Sequence, residues 1–322
     1  MKVITLEEHY TTPMYLEATK NLGPEGQAGG EEVARKQADL GDERLADMDA
    51  AGIDMQVLSL SGILLDALDP ATATAVARDA NDRAAQAVQD HPDRFAAFAA
   101  LGVQEPETAA DELRRCVREL GFRGAIVNGT AGGLFLDHPR FLPVFQAAQD
   151  LGVPVYLHPA PPPPPVRDAY YGGLPDGYGA VLSIAGWGWH VETGLHALRL
   201  IVSGLFDRLP GLQIIIGHMG ENLPFSLARA ESVLSRAPKP LARPLSDYFH
   251  ANFHVTTSGY FTLPPFLCAL EVVGADRLLF SVDYPFSTNP QGRTFLDSLP
   301  VAPADKEKIA HGNAERLLGL TP

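Results

Sequence analysis

The chain lacks the features that mark a membrane, nucleic-acid or secreted protein. It contains no run of about 18 apolar residues, the length a membrane-spanning helix needs. Met1 to Tyr10 is too short and too acidic for a secretory leader, so a cytoplasmic protein is expected. Basic residues are few, 25 Lys and Arg against 39 Asp and Glu, and the net charge is −14 with no basic cluster. Nucleic acid is therefore not an expected partner. There are 2 cysteines, Cys116 and Cys268, far apart in helical-looking segments and without a C-x-x-C. Two buried free thiols are expected. Neither a dinucleotide-binding glycine fingerprint nor a P-loop occurs, which removes the usual nucleotide-binding readings.

What is present is ordinary core-forming sequence: 322 residues, 46% hydrophobic and 20% charged. With no internal repeat or linker, one domain over 1–322 is expected. Short apolar, β-branched segments recur along it: Val3 to Tyr10, Met55 to Leu60, Phe95 to Leu101, Gly124 to Gly129, Val153 to His158, Leu212 to His218, Phe253 to Thr257 and Leu278 to Asp283. Between most of them lie helical patterns, at Asp42 to Ala51, Pro70 to His91, Glu107 to Leu120, Arg140 to Leu151, Glu192 to Leu209 and Phe225 to Arg236, with a last at Ala304 to Leu318. Eight strands alternating with helices predict a (β/α)₈, TIM-like barrel. Residues 11–40 lack clear periodicity and are read as a loop insertion, with 21–36 as a lid or a subunit contact. Pro159 and Pro161 to Pro165 are read as a rigid wall.

In such a barrel the strand C-termini converge on one face, and catalytic residues sit there. The first strand ends in Glu7-x-His9, two side chains on the same side of a strand. The fifth ends in His158, the sixth in His218 and the eighth in Asp283. Carboxylates and imidazoles together suit a divalent transition metal better than calcium or magnesium. Leu212-Gln-Ile-Ile-Ile-Gly-His218-Met-Gly-Glu221 places an acid three residues after its histidine, where it can fix the imidazole tautomer. Each residue also has an ordinary reading: Glu7 and Glu8 as an exposed pair, Asp283-Tyr-Pro as a turn, His218 as a structural histidine. That all are ordinary while each stands at a strand end is the weaker explanation. His91, His138, His196, His250 and His311 are read as structural; His190 and His254 are the remaining histidines that could reach a pocket.

Glu7-x-His9, His158-Pro159, His218-Met-Gly-Glu221 and Phe280-Ser-Val-Asp283-Tyr-Pro resemble the amidohydrolase superfamily, and within it the non-oxidative aromatic decarboxylases of γ-resorcylate and 2,3-dihydroxybenzoate type. The resemblance runs nearly end to end. It implies one divalent ion, zinc or manganese, held by Glu7, His158 and Asp283 with His9 as a further ligand, and no organic cofactor. It implies Asp283, His218 and Glu221 as the catalytic acid–base groups, with Arg229 and Phe286 around the substrate; Trp187 is added here as part of an apolar slot for the ring. The partners implied are a small aromatic carboxylic acid and CO2, in a homotetramer or dimer. Metal-dependent hydrolysis of an ester, lactone or amide is the alternative chemistry, and a non-catalytic metal-binding barrel the alternative class.

Overall fold

The computed structural model describes residues 1–22 and 30–320. Nine parallel strands run β1 (Ile4–Tyr10), β2 (Met55–Leu60), β3 (Phe95–Ala97), β4 (Ala99–Ala100), β5 (Ala125–Asn128), β6 (Val155–His158), β7 (Ile214–Ile216), β8 (Phe253–Thr256) and β9 (Leu278–Leu279). They form sheets of order β1-β2-β3 and β4-β5-β6-β7-β8-β9. The predicted third strand is thus one segment broken at Phe98: its first part pairs with β2 and its second with β5. At the other seam, a parallel bridge between Leu6 and Ser281 sets the end of the chain's last strand beside its first. The eight-part α/β barrel reading holds, with the third strand split.

The near-continuous apolar character of the strands follows from burial on both faces. Alternate residues, among them Ile4, Leu6, Val57, Phe98, Ile126, Tyr156, Ile215 and Leu279, form an inner cluster. Their neighbours, such as Leu58, Val127, Leu157, Ile214, Ile216 and Val255, pack with the helices in an outer one. Ala314, Leu318 and Leu320 join the inner cluster, so the last helix packs against the barrel interior. The predicted Ala304 to Leu318 helix is in fact Pro303–Glu307, a wide π-type turn Lys308–Gly312 and Asn313–Leu318; the Phe280 N–H donates to the Ile309 carbonyl at this turn.

Residues 11–40 are not simply a loop. Helix Pro13–Thr19 starts on a Thr12 cap with proline in its first turn, and Gly30–Ala38 is a second helix. Both are too short for a periodic pattern to emerge. The part of the predicted lid at 23–29 lies outside the described residues. Buried Arg44 ties the second helix to β1, donating to the carbonyls of Lys36 and His9. Elsewhere the predicted Glu192 to Leu209 helix runs Gly188–Val202 and restarts as Leu205–Arg208 after Gly204 at φ 74. The proline run leads into helix Pro164–Tyr171, since proline in a first turn forfeits no hydrogen bond. His250 lies in helix Leu245–Asn252. Cys116 is buried, whereas Cys268 is only half-buried.

Candidate active site

The β1 end is built by a bulge. Register passes from Thr5 opposite Gln56 to Glu8 opposite Leu58, so β1 holds one extra residue, and Glu7 sits at φ 63. A bulge re-aims the side chain it carries. Here both Glu7 and Glu8 become fully buried, contrary to the exposed-pair reading. Glu8 turns to the last strand, accepting from the Val282 N–H at 3.0 Å, the Tyr284 N–H at 3.2 Å and the Ser281 hydroxyl. It therefore clasps the backbone on either side of Asp283. Burial pushes its carboxyl up to about 8, against the pull of those amides.

Glu7 turns inward. One oxygen, Oε2, accepts from the hydroxyls of Tyr156 and Ser258. The other, Oε1, is buried without a hydrogen-bond partner, yet lies 3.2 Å from His158 Nε2 and 3.9 Å from His218 Nε2. His158 donates its Nδ1–H to the Pro159 carbonyl at 2.7 Å, which leaves an Nε2 lone pair facing Glu7. His9 pairs Nδ1 with the Ser59 hydroxyl and brings Nε2 to 3.3 Å from Asp283 Oδ1. Donor atoms of Glu7, His9 and His158 lie within 4.8 Å of one another, as do those of Glu7, His218 and Asp283. An orphaned carboxylate oxygen facing imidazole nitrogens whose far sides are already anchored is the donor set a divalent cation of the zinc or manganese kind requires. The residues present fit the metal.

β7 delivers the acid–base pair through an unusual backbone. His218, Met219, Gly220, Glu221 and Asn222 have φ of 49, 58, 87, 53 and 65, a left-handed run that only Gly220 adopts without strain. Among the described residues, six of the seven non-glycine positive-φ positions are Glu7, Asp283 and the four from this run. Strain concentrated in this way marks a site. The tight turn folds Glu221 back so that His218 donates Nδ1–H to Glu221 Oε1 at 2.7 Å. His190 donates Nδ1–H to Glu221 Oε2 at 2.6 Å and takes the Trp189 indole N–H on Nε2 at 3.1 Å. Tyr260 packs its ring against both histidines.

Charge organises the cluster. Burial works to raise the Glu7 carboxyl, but the His218 and His158 imidazoles outweigh it and hold Glu7 below its ordinary value. Asp283 is likewise raised by burial and held down more strongly by hydrogen bonds from His218 and His9. Burial alone would lower His218; Glu221, Glu7 and Asp283 reverse this and push it well up. His218 Nε2 stands 3.7 Å from Asp283 Oδ2. Asp283 is the more open end of the cluster, its side chain 16% exposed against 0% for Glu7.

The structure thus brings together Glu7, His9, His158, His218, Glu221 and Asp283, and sets the half-exposed Phe286 ring against His9. It does not bring in Arg229: Leu223, Pro224 and Leu227 occupy the buried face of helix Leu223–Leu234, which leaves Arg229 exposed. Trp187 is 52% exposed, and the indole that reaches the cluster is Trp189. His190 joins the site, while His254 lies at the opposite end of the barrel. Tyr156, Ser258 and Glu8 were missed. Tyr156 had a signal, since it stands two residues before His158 on the same strand face; Ser258, beyond a strand end, had none.

The chain belongs to the amidohydrolase family, whose model matches residues 9–320. Its relatives narrow the class. A γ-resorcylate decarboxylase from Polaromonas sp. strain JS666 is 40% identical over 328 residues, 98% of each chain. The crystal structure of a 2,6-dihydroxybenzoate decarboxylase complexed with 2,6-dihydroxybenzoate matches with TM-score 0.89 at 40% identity, over 99% of this chain and 100% of that one. A dihydroxybenzoic acid decarboxylase from Polaromonas sp. JS666, with bound manganese and the inhibitor 2-nitroresorcinol, matches with TM-score 0.90 at 40% identity, over 99% and 97%.

Proposed function

We infer that this chain is a metal-dependent, non-oxidative decarboxylase of an aromatic acid bearing a hydroxyl ortho to its carboxylate. The observation that carries the reading is the buried, unpartnered Glu7 Oε1 facing His158 beside the His218–Glu221 pair. Full-length similarity at 40% to decarboxylases of that class supports it.

Glu7, His158 and Asp283, with His9 as fourth donor, would hold one divalent ion. When bound, it supplies a Lewis acid for the substrate carboxylate and ortho oxygen and favours the phenolate. Manganese in a relative's structure supports manganese over zinc here, though this donor set takes either. Phe286, half-exposed beside His9, forms one wall for the ring. Glu221 fixes the His218 tautomer and balances its charge, so His218 stores the proton to be delivered. That proton passes from His218 Nε2 to Asp283 Oδ2, then to the ring carbon that carries the carboxylate. The bond from that carbon to the carboxylate breaks, its electrons return to the ring, and CO2 leaves. No electron is gained or lost overall, so the chemistry calls for neither flavin nor nicotinamide. Asp283, held ionised by its neighbours, acts as the relay, not as the reservoir. Arg229 and Trp187, both exposed, are assigned no step in this sequence.

Exposed Tyr170, Tyr178, Val181 and Phe225 support assembly as a homo-oligomer. The free thiols of Cys116 and Cys268 fit a reducing, cytoplasmic compartment.

The test is turnover by metal-loaded protein of 2,6-dihydroxy-, 2,3-dihydroxy- and 2-hydroxybenzoate, followed as phenol release. At least one is expected to be decarboxylated, and Asp283→Asn to reduce that rate by more than about 100-fold. Hydrolysis of lactones or esters with no turnover of any hydroxybenzoate would assign the site to hydrolysis instead.

A further inference from the structure

The opposite end of the barrel carries a concavity of about 610 Å³, away from the acid–base cluster. Its lining includes Arg277, Arg316, His254, Gln213, Val153 and Pro154. In a chain of net charge −14, two guanidinium groups opening on one cavity stand out.

The hydrogen-bond inventory of this cavity is unbalanced toward donors. Arg277 donates Nη1–H to Gln213 Oε1 and to His254 Nε2, both at 2.9 Å. An imidazole that accepts at Nε2 and stays neutral carries its proton on Nδ1. Burial, with Arg277 and Arg316 adding to it, pushes His254 down to about 3, so it is neutral. Its Nδ1–H is buried and has no acceptor. Arg316 donates through Nη2 alone, to the Asp276 carbonyl and Asn313 Oδ1 at 2.8 Å. Each guanidinium offers five N–H donors, so both keep donors without a protein acceptor among the described residues. The one carboxylate in the lining, Asp276, is exposed and paired with Lys308 at 2.9 Å, and its charge also acts on both arginines. Arg316 also lies close enough to depress Arg277, beyond the effect of its burial and against the smaller opposing pull of Asp276. An oxyanion relieves that repulsion and accepts what the arginines offer in a fork geometry. Val153, Pro154, Ala148 and Leu317 give the cavity an apolar side, and its volume is that of a metabolite site.

We propose that the end of the barrel remote from the acid–base cluster is a binding site for a small organic oxyanion, a carboxylate or a phosphoester, clasped by Arg277 and Arg316. The site is separate from the decarboxylase reading and stands or falls without it.

Equilibrium dialysis of the full-length, metal-loaded protein against labelled inorganic phosphate, and in a second arm against labelled acetate, tests this. The expected result is saturable binding of one anion per chain in at least one arm, with the tighter arm identifying the headgroup. Arg316→Gln and Arg277→Gln are each expected to weaken it at least tenfold while turnover is unchanged. Arg316 is exposed, so its replacement leaves the fold intact even if Arg277→Gln does not. No saturable binding in either arm would overturn the proposal. So would binding that Arg316→Gln leaves unchanged, because the anion would then sit elsewhere.

Discussion

Glu7 uses its two oxygens differently: Oε2 is saturated by the Tyr156 and Ser258 hydroxyls, and Oε1 faces the imidazoles. The hydroxyls therefore aim the carboxylate, a role whose loss typically costs a metal site 10–100-fold in affinity. Tyr156→Phe removes one of the two while keeping the ring in the inner cluster. Its expected effect is about tenfold weaker metal binding, read by competition with a chelator; unchanged affinity would mean that Ser258 alone sets the orientation. At this scale the sequence was legible where chemistry coincided with a strand end, as at Glu7, His9, His158, His218 and Asp283. It was weaker where a site residue was disguised by its element, as with His190, which the sequence marked only as able to reach a pocket. His190 stands inside helix Gly188–Val202, and only the chain's path across the barrel mouth brings it to Glu221. Arg229 shows the reverse: a charge that fits the chemistry lies on the exposed face of its helix.

The elements that present these residues are short and irregular. β7 is Ile214–Ile216, and the left-handed run follows after Gly217. A Cβ at Gly217 would stand 2.9 Å from Glu7 Oε2, 3.0 Å from the Tyr156 hydroxyl and 3.4 Å from Glu221 Oε1. Glu7 Oε2 and the Tyr156 hydroxyl hold each other, and His218 holds Glu221 Oε1, so the three cannot all withdraw. Gly217→Ala is therefore expected to cut kcat more than about tenfold while costing only about 1–3 kcal/mol of stability, as overpacking does. Steady-state kinetics beside urea unfolding separate the two; wild-type turnover would show that the strand and the turn are not packed this tightly. Some long elements were read well from sequence: Asp42–Ala51 ends on left-handed Gly52, and Pro70–Asp90 is one helix, whereas Glu192 to Leu209 and Ala304 to Leu318 are broken. The failures were local. The break at Phe98 depends on which neighbour each half of the strand pairs with, and the bulge at Glu7 depends on register, neither of which a single strand's pattern contains.

Across the whole molecule, acid is the stress that burial makes dangerous for two histidines. His196 is buried with Nε2 accepting the Leu136 N–H, and burial, with Arg199 nearby, lowers it from 6.5 to about 3; His254 is lowered to about 3 as well. Between these values the unfolded chain binds protons that the folded chain refuses. The stability these groups preserve is thus complete above pH 6.5 and is lost progressively as pH falls toward 3, by at most about 5 kcal/mol for each histidine. Glu8 and His218, whose values are raised, act in the opposite sense over this range, so the readout is the comparison with His196→Gln. In urea unfolding at pH 7.5 and pH 5 the variant is expected to respond less unfavourably to acid than the wild type, and an identical response would remove His196 from the balance. The barrel itself was legible because its alternation of strands and helices is a property of the entire chain. Its closure was not, since the Leu6–Ser281 bridge joins residues that only the finished ring makes neighbours. The most direct test of the central claim also spans the chain, because the proposed ligands run from Glu7 to Asp283. Chelator-stripped protein is titrated with manganese while CO2 release from a hydroxybenzoate substrate is recorded against bound metal. The expected result is no turnover at the start, a linear rise, and a plateau at one ion per chain that Glu7→Gln does not reach. Full turnover by the stripped protein, or a plateau at two ions per chain, would contradict a single metal centre built from these residues.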